Sequence, residues 1–220
     1  MKLNISSSLK AINGLALDLT QTLSKSKELL DRLSEWHQKF LQQSQKSSEE
    51  AAHLHTVSML GYHYVQMTVF RAVVRPFIVN SSFEPAAGTY ELVRDQQDII
   101  SFARTGIHSA TTSASKFVRD LKEEHFHMFW PHWSQVAISS ICFLDLLMAS
   151  SSPDTEEATL WFRDLHALRK EMRLKSNMLP VLRLGLLRID AVFWKGVDNV
   201  LRLQPHVKDA LESSLQPNSG

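Results

Sequence analysis

The chain has 220 residues, 44% hydrophobic and 21% charged, which is the composition of an ordinary soluble globular chain of one large domain or two small ones. Lys+Arg 24 against Asp+Glu 23 leave a net charge of +1, excluding a whole-chain basic surface of the kind that drives non-specific phosphate binding. A single cysteine, Cys142, excludes an internal disulfide framework and a cysteine-rich zinc module.

Glycine and proline are scarce, and apolar spacing supports helices nearly everywhere. Met1 to Leu9 is polar and serine-rich, without the apolar segment of a secretory signal. The sequons at Asn4 and Asn80 are therefore expected to be chance matches. Leu9, Ile12, Ala16, Leu19 and Leu23 step by three or four, as do Leu29, Leu33, Trp36 and Phe40. A polar tract over 42–48 separates these from a helix whose start Glu49 and Glu50 favour. Residues 51–75 are apolar on most sides, predicting a central helix packed all round, ended by Pro76 and the 80–88 segment.

A second long pattern runs through Ile99, Ala103, Gly106, Ile107, Ala110, Ala114, Phe117 and Leu121. Its small residues between Ser109 and Ser115 allow another helix to approach closely. Pro131 is expected in a first helical turn, followed on one face by Trp133, Ala137, Ile141, Leu144 and Met148. The apolar run Val136–Ala149 is interrupted by Ser139, Ser140 and Asp145. A bilayer span needs roughly 20 apolar residues, so a buried helix is the better expectation. Ser152-Pro153-Asp154 reads as an N-cap and first turn before Trp161, Leu165, Leu168 and Met172. The last pattern is Leu182, Leu186, Ile189, Phe193 and Val200. The predicted fold is all-α, about seven helices in one domain over 1–205, with 206–220 a flexible tail.

Candidate chemistry is sparse. His125, His127 and His132 form the densest imidazole group, but residues two apart on a helix point in different directions, so core or elbow positions are the better expectation. His53 and His55 share that fault. Cys142 lies within Ile141-Cys142-Phe143-Leu144, where a thiol behaves as a small buried hydrophobe. From Trp161 to Arg202 nine cations face four acids, and the densest stretch, Arg169 to Lys175, is expected to be a solvated helix face. Tryptophans 36, 130, 133, 161 and 194 are expected to be packing anchors. No nucleophile elbow, phosphate loop or zinc-protease motif is present, so the chain is expected to be non-catalytic and without a cofactor.

The run Leu54-His55, Tyr62-His63, Phe70-Arg71 and Arg75-Pro76-Phe77 resembles the helix that marks the regulatory "middle homology" domain of fungal binuclear zinc-cluster transcription factors. Phe70 stands where that family usually has a histidine. Leu30, Leu33, Trp36 and Leu41 resemble the helix preceding it. Phe129-Trp130-Pro131-His132-Trp133-Ser134, Leu146 to Ser150, Glu156-Glu157-Ala158, and Leu168-Arg169 with Arg173-Leu174-Lys175-Ser176 resemble the TamA-like branch, co-regulators of nitrogen-source and 4-aminobutyrate utilisation genes. The resemblance covers roughly 25–200. It implies a nuclear, all-helical regulatory domain that meets the transcription machinery or a DNA-binding co-regulator, and responds to a small inducer. In that family a separate six-cysteine zinc cluster contacts DNA. One cysteine cannot supply it, so neither zinc nor direct DNA contact is expected here, and no membrane contact either. The chain is then either part of a longer regulator or a headless paralogue. The rivals are a helical scaffold without transcriptional role, and an enzyme using His125, His127, His132 or Cys142 in an inter-helical pocket.

Overall fold

The computed structural model describes residues 19–43, 49–79 and 90–215. Among them there is no strand. Eight α-helices follow one another: α1 (Leu19–Gln43), α2 (Glu49–Val79), α3 (Tyr90–Asp120), α4 (Trp133–Ser150), α5 (Thr155–Lys175), α6 (Arg183–Lys195), the single turn α7 (Val197–Val200) and α8 (Pro205–Leu215). The all-α expectation therefore holds. Leu9, Ile12, Ala16 and both sequons lie outside the described residues.

The centre of the fold is α4. Eleven of its eighteen residues are buried, and α2, α3, α5 and α6 all pack on it. It is long and apolar enough to cross a bilayer, yet its surface is taken up inside the protein. The sequence pattern placed that central role at 51–75. In the fold, α2 buries one side, through Leu60, His63, Met67, Phe70, Val73 and Val74, and exposes Leu54 and Arg71. Nor does Pro76 end α2, which runs on to Val79. A proline forfeits one N–H bond to the carbonyl four residues back, which a final turn can tolerate.

The close approach predicted for α3 occurs against α2. Ala103, Ile107, Ala110, Ala114 and Val118 form its buried stripe. Gly106 sits under the Phe70 ring, where an added Cβ would fall 2.5 Å from a ring carbon. Helix starts are corrected by one to three residues. His132 is the N-cap of α4, so Pro131 lies just before the first turn and accepts a bond from Ser134 N at 2.9 Å. Asp154, and not Ser152, caps α5, accepting from Glu157 N at 2.8 Å. Gly196, at φ 88°, ends α6.

The predicted tail is a further correction. Residues 205–215 form α8, with Val207, Ala210 and Leu211 buried at helical spacing against α5. His206 Nε2 bonds the Ser152 carbonyl at 2.8 Å, anchoring its start. Pro205 suits a first helical turn because its missing N–H is unneeded there.

A Gly106→Ala change sets a helix-propensity gain of about 1 kcal/mol against overpacking of about 1–3 kcal/mol. Phe70 is 6% exposed and cannot swing away, so the variant is expected to unfold at lower temperature, and Phe70→Leu should restore part of the loss. A higher melting temperature for Gly106→Ala would show the α2–α3 crossing to be looser than described.

Candidate functional site

The residues of the family-like motifs divide into three groups. On α2, Leu54 is exposed, His55 stacks on Phe40 at 5.2 Å, and Tyr62 stacks on His37 at 4.1 Å. His63 is buried between Tyr62 and Phe117, its Nδ1 without a hydrogen-bond partner. Together these rings hold α1 on α2. Arg71 and Arg75 are exposed, and the side chains of Pro76 and Phe77 lie outside the described residues. At the start of α4, Phe129 is exposed, Trp130 is half-buried with its Nε1 donating to the His125 carbonyl, Trp133 faces Gly61, and Ser134 is fully buried with an unpartnered hydroxyl. The third group joins α5 to α6. Arg169 donates twice to Asp190 Oδ1, at 3.0 and 2.8 Å, and lies 3.8 Å over the Phe193 ring. Arg173 reaches the same oxygen at 2.8 Å, and Ser176 caps the end of α5.

The expectation of a solvated basic face holds for Arg163, Lys170, Arg173, Arg183, Arg188, Lys195 and Arg202, which are exposed, and fails at Arg169 and Lys175. Arg169 is 7% exposed. Lys175 donates to the carbonyls of Val118, Arg119 and Leu121, satisfying the open C-terminal end of α3. Arg183 donates to the carbonyls of Ser176 and Asn177. Lys170 and Arg173 of the 169–175 stretch are exposed, Arg173 while paired with Asp190. Likewise, of the five tryptophans only Trp161 is fully buried, its Nε1 donating to Glu157 at 2.9 Å. Glu157 also receives Arg104 of α3 at 2.7 Å, so one carboxylate ties two helices together.

His125 faces inward to the Lys122 N–H at 2.9 Å, while His127 and His132 are exposed. Among the described residues no group of His, Cys, Asp and Glu is placed to hold a metal. Cys142 is fully buried with its Sγ 3.6 Å from Met172 Sδ, and burial raises its pKa, keeping it a thiol.

The arrangement with chemical potential lies elsewhere, in a cleft of about 270 Å³ between α3, α4 and α5. His108, Thr111, Thr112, Ser115 and Arg119 line it from α3, and Arg163, Asp164, Ala167 and Leu168 from α5. Its floor is Asp145 of α4, 1% exposed; neither carboxyl oxygen has a hydrogen bond of good geometry, and the Thr111 hydroxyl is the one donor near enough to interact with it. Burial, reinforced by the charge of Asp164, drives its pKa well above the ordinary range, although the Thr111 hydroxyl nearby opposes the shift. At the rim His108 Nε2 lies 3.5 Å from Asp164 Oδ2, and the His108 ring meets Trp161 edge-on at 5.2 Å. A buried carboxyl without a cationic partner, at the base of a polar cleft, can take a proton or a cation.

A second feature is the outward side of α6. Leu187 is 68% exposed and Trp194 93%, seven residues apart on one stripe with exposed Ala191. Arg188 and Lys195 adjoin them on the same helix, exposed and without a side-chain ion pair among the described residues. Compared with known proteins, the chain matches no family model, no curated protein and no solved structure.

Sequence inspection registers Asp145 only as an interruption of an apolar run. The signal was present: the positions three and four residues either side, Ile141, Cys142, Met148 and Ala149, are all apolar, so no intrahelical partner exists. The α3 and α5 walls carry no such signal, because their meeting depends on tertiary packing.

His63 supplies a pH prediction. Burial first, and the neighbouring His37 second, lower its pKa to about 4 in the folded chain, against an ordinary 6.5. Unfolded chains therefore bind a proton that the folded chain refuses. Stability is fully present above pH 6.5 and falls as pH drops towards 4, by about 2–3 kcal/mol from this group. Urea titrations across that window should show the loss, and His63→Leu should flatten it. An unchanged slope in the variant would assign the acid sensitivity to other groups.

Proposed function

We propose that the chain is the regulatory and interaction module of a fungal transcription factor, acting in the nucleus without catalysis on the transcription of catabolic, nitrogen-source genes. The family-like motifs at 54–77 and 129–176 support this reading by their order, and they lie on α2, α4 and α5. The observation that carries its interaction role is the outward side of α6. A tryptophan 93% exposed, with Leu187 two turns before it, is the pattern of a helix that presents apolar anchors to another protein. Unpaired Arg188 and Lys195 beside those anchors favour an acidic partner, such as a segment of the transcription machinery or a DNA-binding co-regulator. A small inducer would act through the inter-helical cleft at Asp145.

A general helical scaffold shares the α6 surface and differs only in having no transcriptional output. An enzyme built on His125, His127, His132 or Cys142 has less support, since the imidazoles are dispersed and the thiol is sealed. In a reporter assay, the full chain fused to a heterologous DNA-binding head should change output from the tethered promoter several-fold. Trp194→Ala combined with Leu187→Ala should return it to the level of the head alone, with thermal stability retained because both side chains are exposed. No change in output in either direction with the unmodified chain would leave the scaffold reading standing and overturn this one.

A further inference from the structure

We propose that the cleft between α3, α4 and α5 is a binding site for one small organic primary ammonium ion, held by the Asp145 carboxylate. This names the ligand class for the inducer in the regulatory reading, but it rests on the cleft alone. Ligand binding can therefore fail while the reporter effect stands, and the reverse.

Asp145 is the chemical reason. Its two carboxyl oxygens are buried with no well-formed hydrogen bond and no cation on them, only the Thr111 hydroxyl close by, on a helix whose neighbouring positions are apolar. A buried acid is retained neutral or paired, because an isolated buried charge is costly. In the free chain burial favours its protonated form. An ammonium group reverses that balance, bringing a positive charge and three N–H donors to a site that lacks both. Thr111, whose hydroxyl has a long 3.3 Å bond to the His108 carbonyl, stands next to the carboxyl and is the lining hydroxyl that an incoming ammonium would share it with.

The volume separates an organic ammonium from a bare ion. About 270 Å³ lies just below the roughly 300–1,000 Å³ of drug-sized ligand sites, and far above the roughly 30 Å³ share of a water. The site thus accommodates a short carbon chain, along which Thr112 and Ser115 offer hydroxyls. Charge at the rim limits the ligand further. Asp164 is already engaged by Arg163 at 3.4 Å and faced by His108, so it offers no second free carboxylate. Arg119 and Arg163 line the same cleft and repel a second positive charge, which excludes a polyamine. When the ammonium binds, the Asp145 proton leaves to solvent and an ion pair takes its place. The other groups facing that event are His108 and Arg119 from α3, and Arg163 and Asp164 from α5.

The test is calorimetric titration of the full chain with n-propylammonium chloride, alongside 1-propanol as the neutral isostere and potassium chloride as the bare ion. Propylammonium should saturate one site with low-millimolar affinity, as its few atoms allow. Asp145→Asn should weaken it about ten- to a hundredfold, the loss of a charge-assisted contact. The same variant should melt no lower than the parent at mildly alkaline pH, since it removes a carboxyl that resists ionisation. A merely structural Asp145 would make that variant less stable. Should the variant not fold, titration of the unmodified chain in buffers of different ionisation heat decides: up to one proton released per ammonium bound is expected. Absence of saturation, equal binding by 1-propanol, saturation by potassium, unaltered affinity in Asp145→Asn, or binding without proton release would each overturn the proposal.

Discussion

Burial of most of α4, with only the Val136–Phe143 side left open, is the constraint from which the other helices take their places. An eighteen-residue helix with Ile138, Ile141, Cys142, Leu144 and Met148 at 3% exposure or less needs apolar partners around it. Each buried side chain of that kind is worth roughly 1.5–3 kcal/mol. The neighbours supply those partners with single stripes: α3 through small residues, α5 through Trp161, Phe162, Leu165 and Leu168, and α6 through Gly185 and Ile189. Polar clamps sit at the edges of this core and fix its geometry. Glu157 receives Arg104, Asp190 receives Arg169 and Arg173, and Lys175 closes the end of α3.

Against that background Asp145 stands apart. Every other clamp carboxylate named above has a guanidinium on it, whereas this one has none and lies deeper. Groups of this kind reduce stability, and proteins retain them where function needs them. The cleft opening onto it is walled by hydroxyls and charges of α3 and α5, in contrast to the apolar core around the rest of α4. The exposed side of α6 is a separate matter: Arg169 and Arg173 hold that helix to α5 through Asp190, and so set which side of it Leu187 and Trp194 present outward.

Periodicity made much of the fold legible. Spacing of three and four located α1 to α6, and Glu49 marked the start of α2 through end charge, while the 152–154 turn marked the start of α5 to within two residues. What escaped was anything decided by distant residues. Val207, Ala210 and Leu211 are too short a stripe to announce a helix until α5 is there to receive it. Tryptophans at helical spacing looked like anchors, but spacing does not say which side faces the core, and Trp194 faces solvent. Arg169 and Lys175 looked solvated because their acceptors, Asp190 and the α3 carbonyls, are 15 or more residues away in the chain. The candidate site was legible at one residue only: an acid among apolar neighbours marks the floor, while its walls require the packed structure.

The central claim is that α4 carries an uncompensated carboxyl at the base of the cleft. Carbon-13 NMR titration of the Asp145 side-chain carboxyl in the folded, ligand-free chain measures this directly. The account predicts a midpoint well above the ordinary aspartate value of about 4. A midpoint at or below that ordinary value would mean that Asp145 has a partner in solution, and would contradict the account.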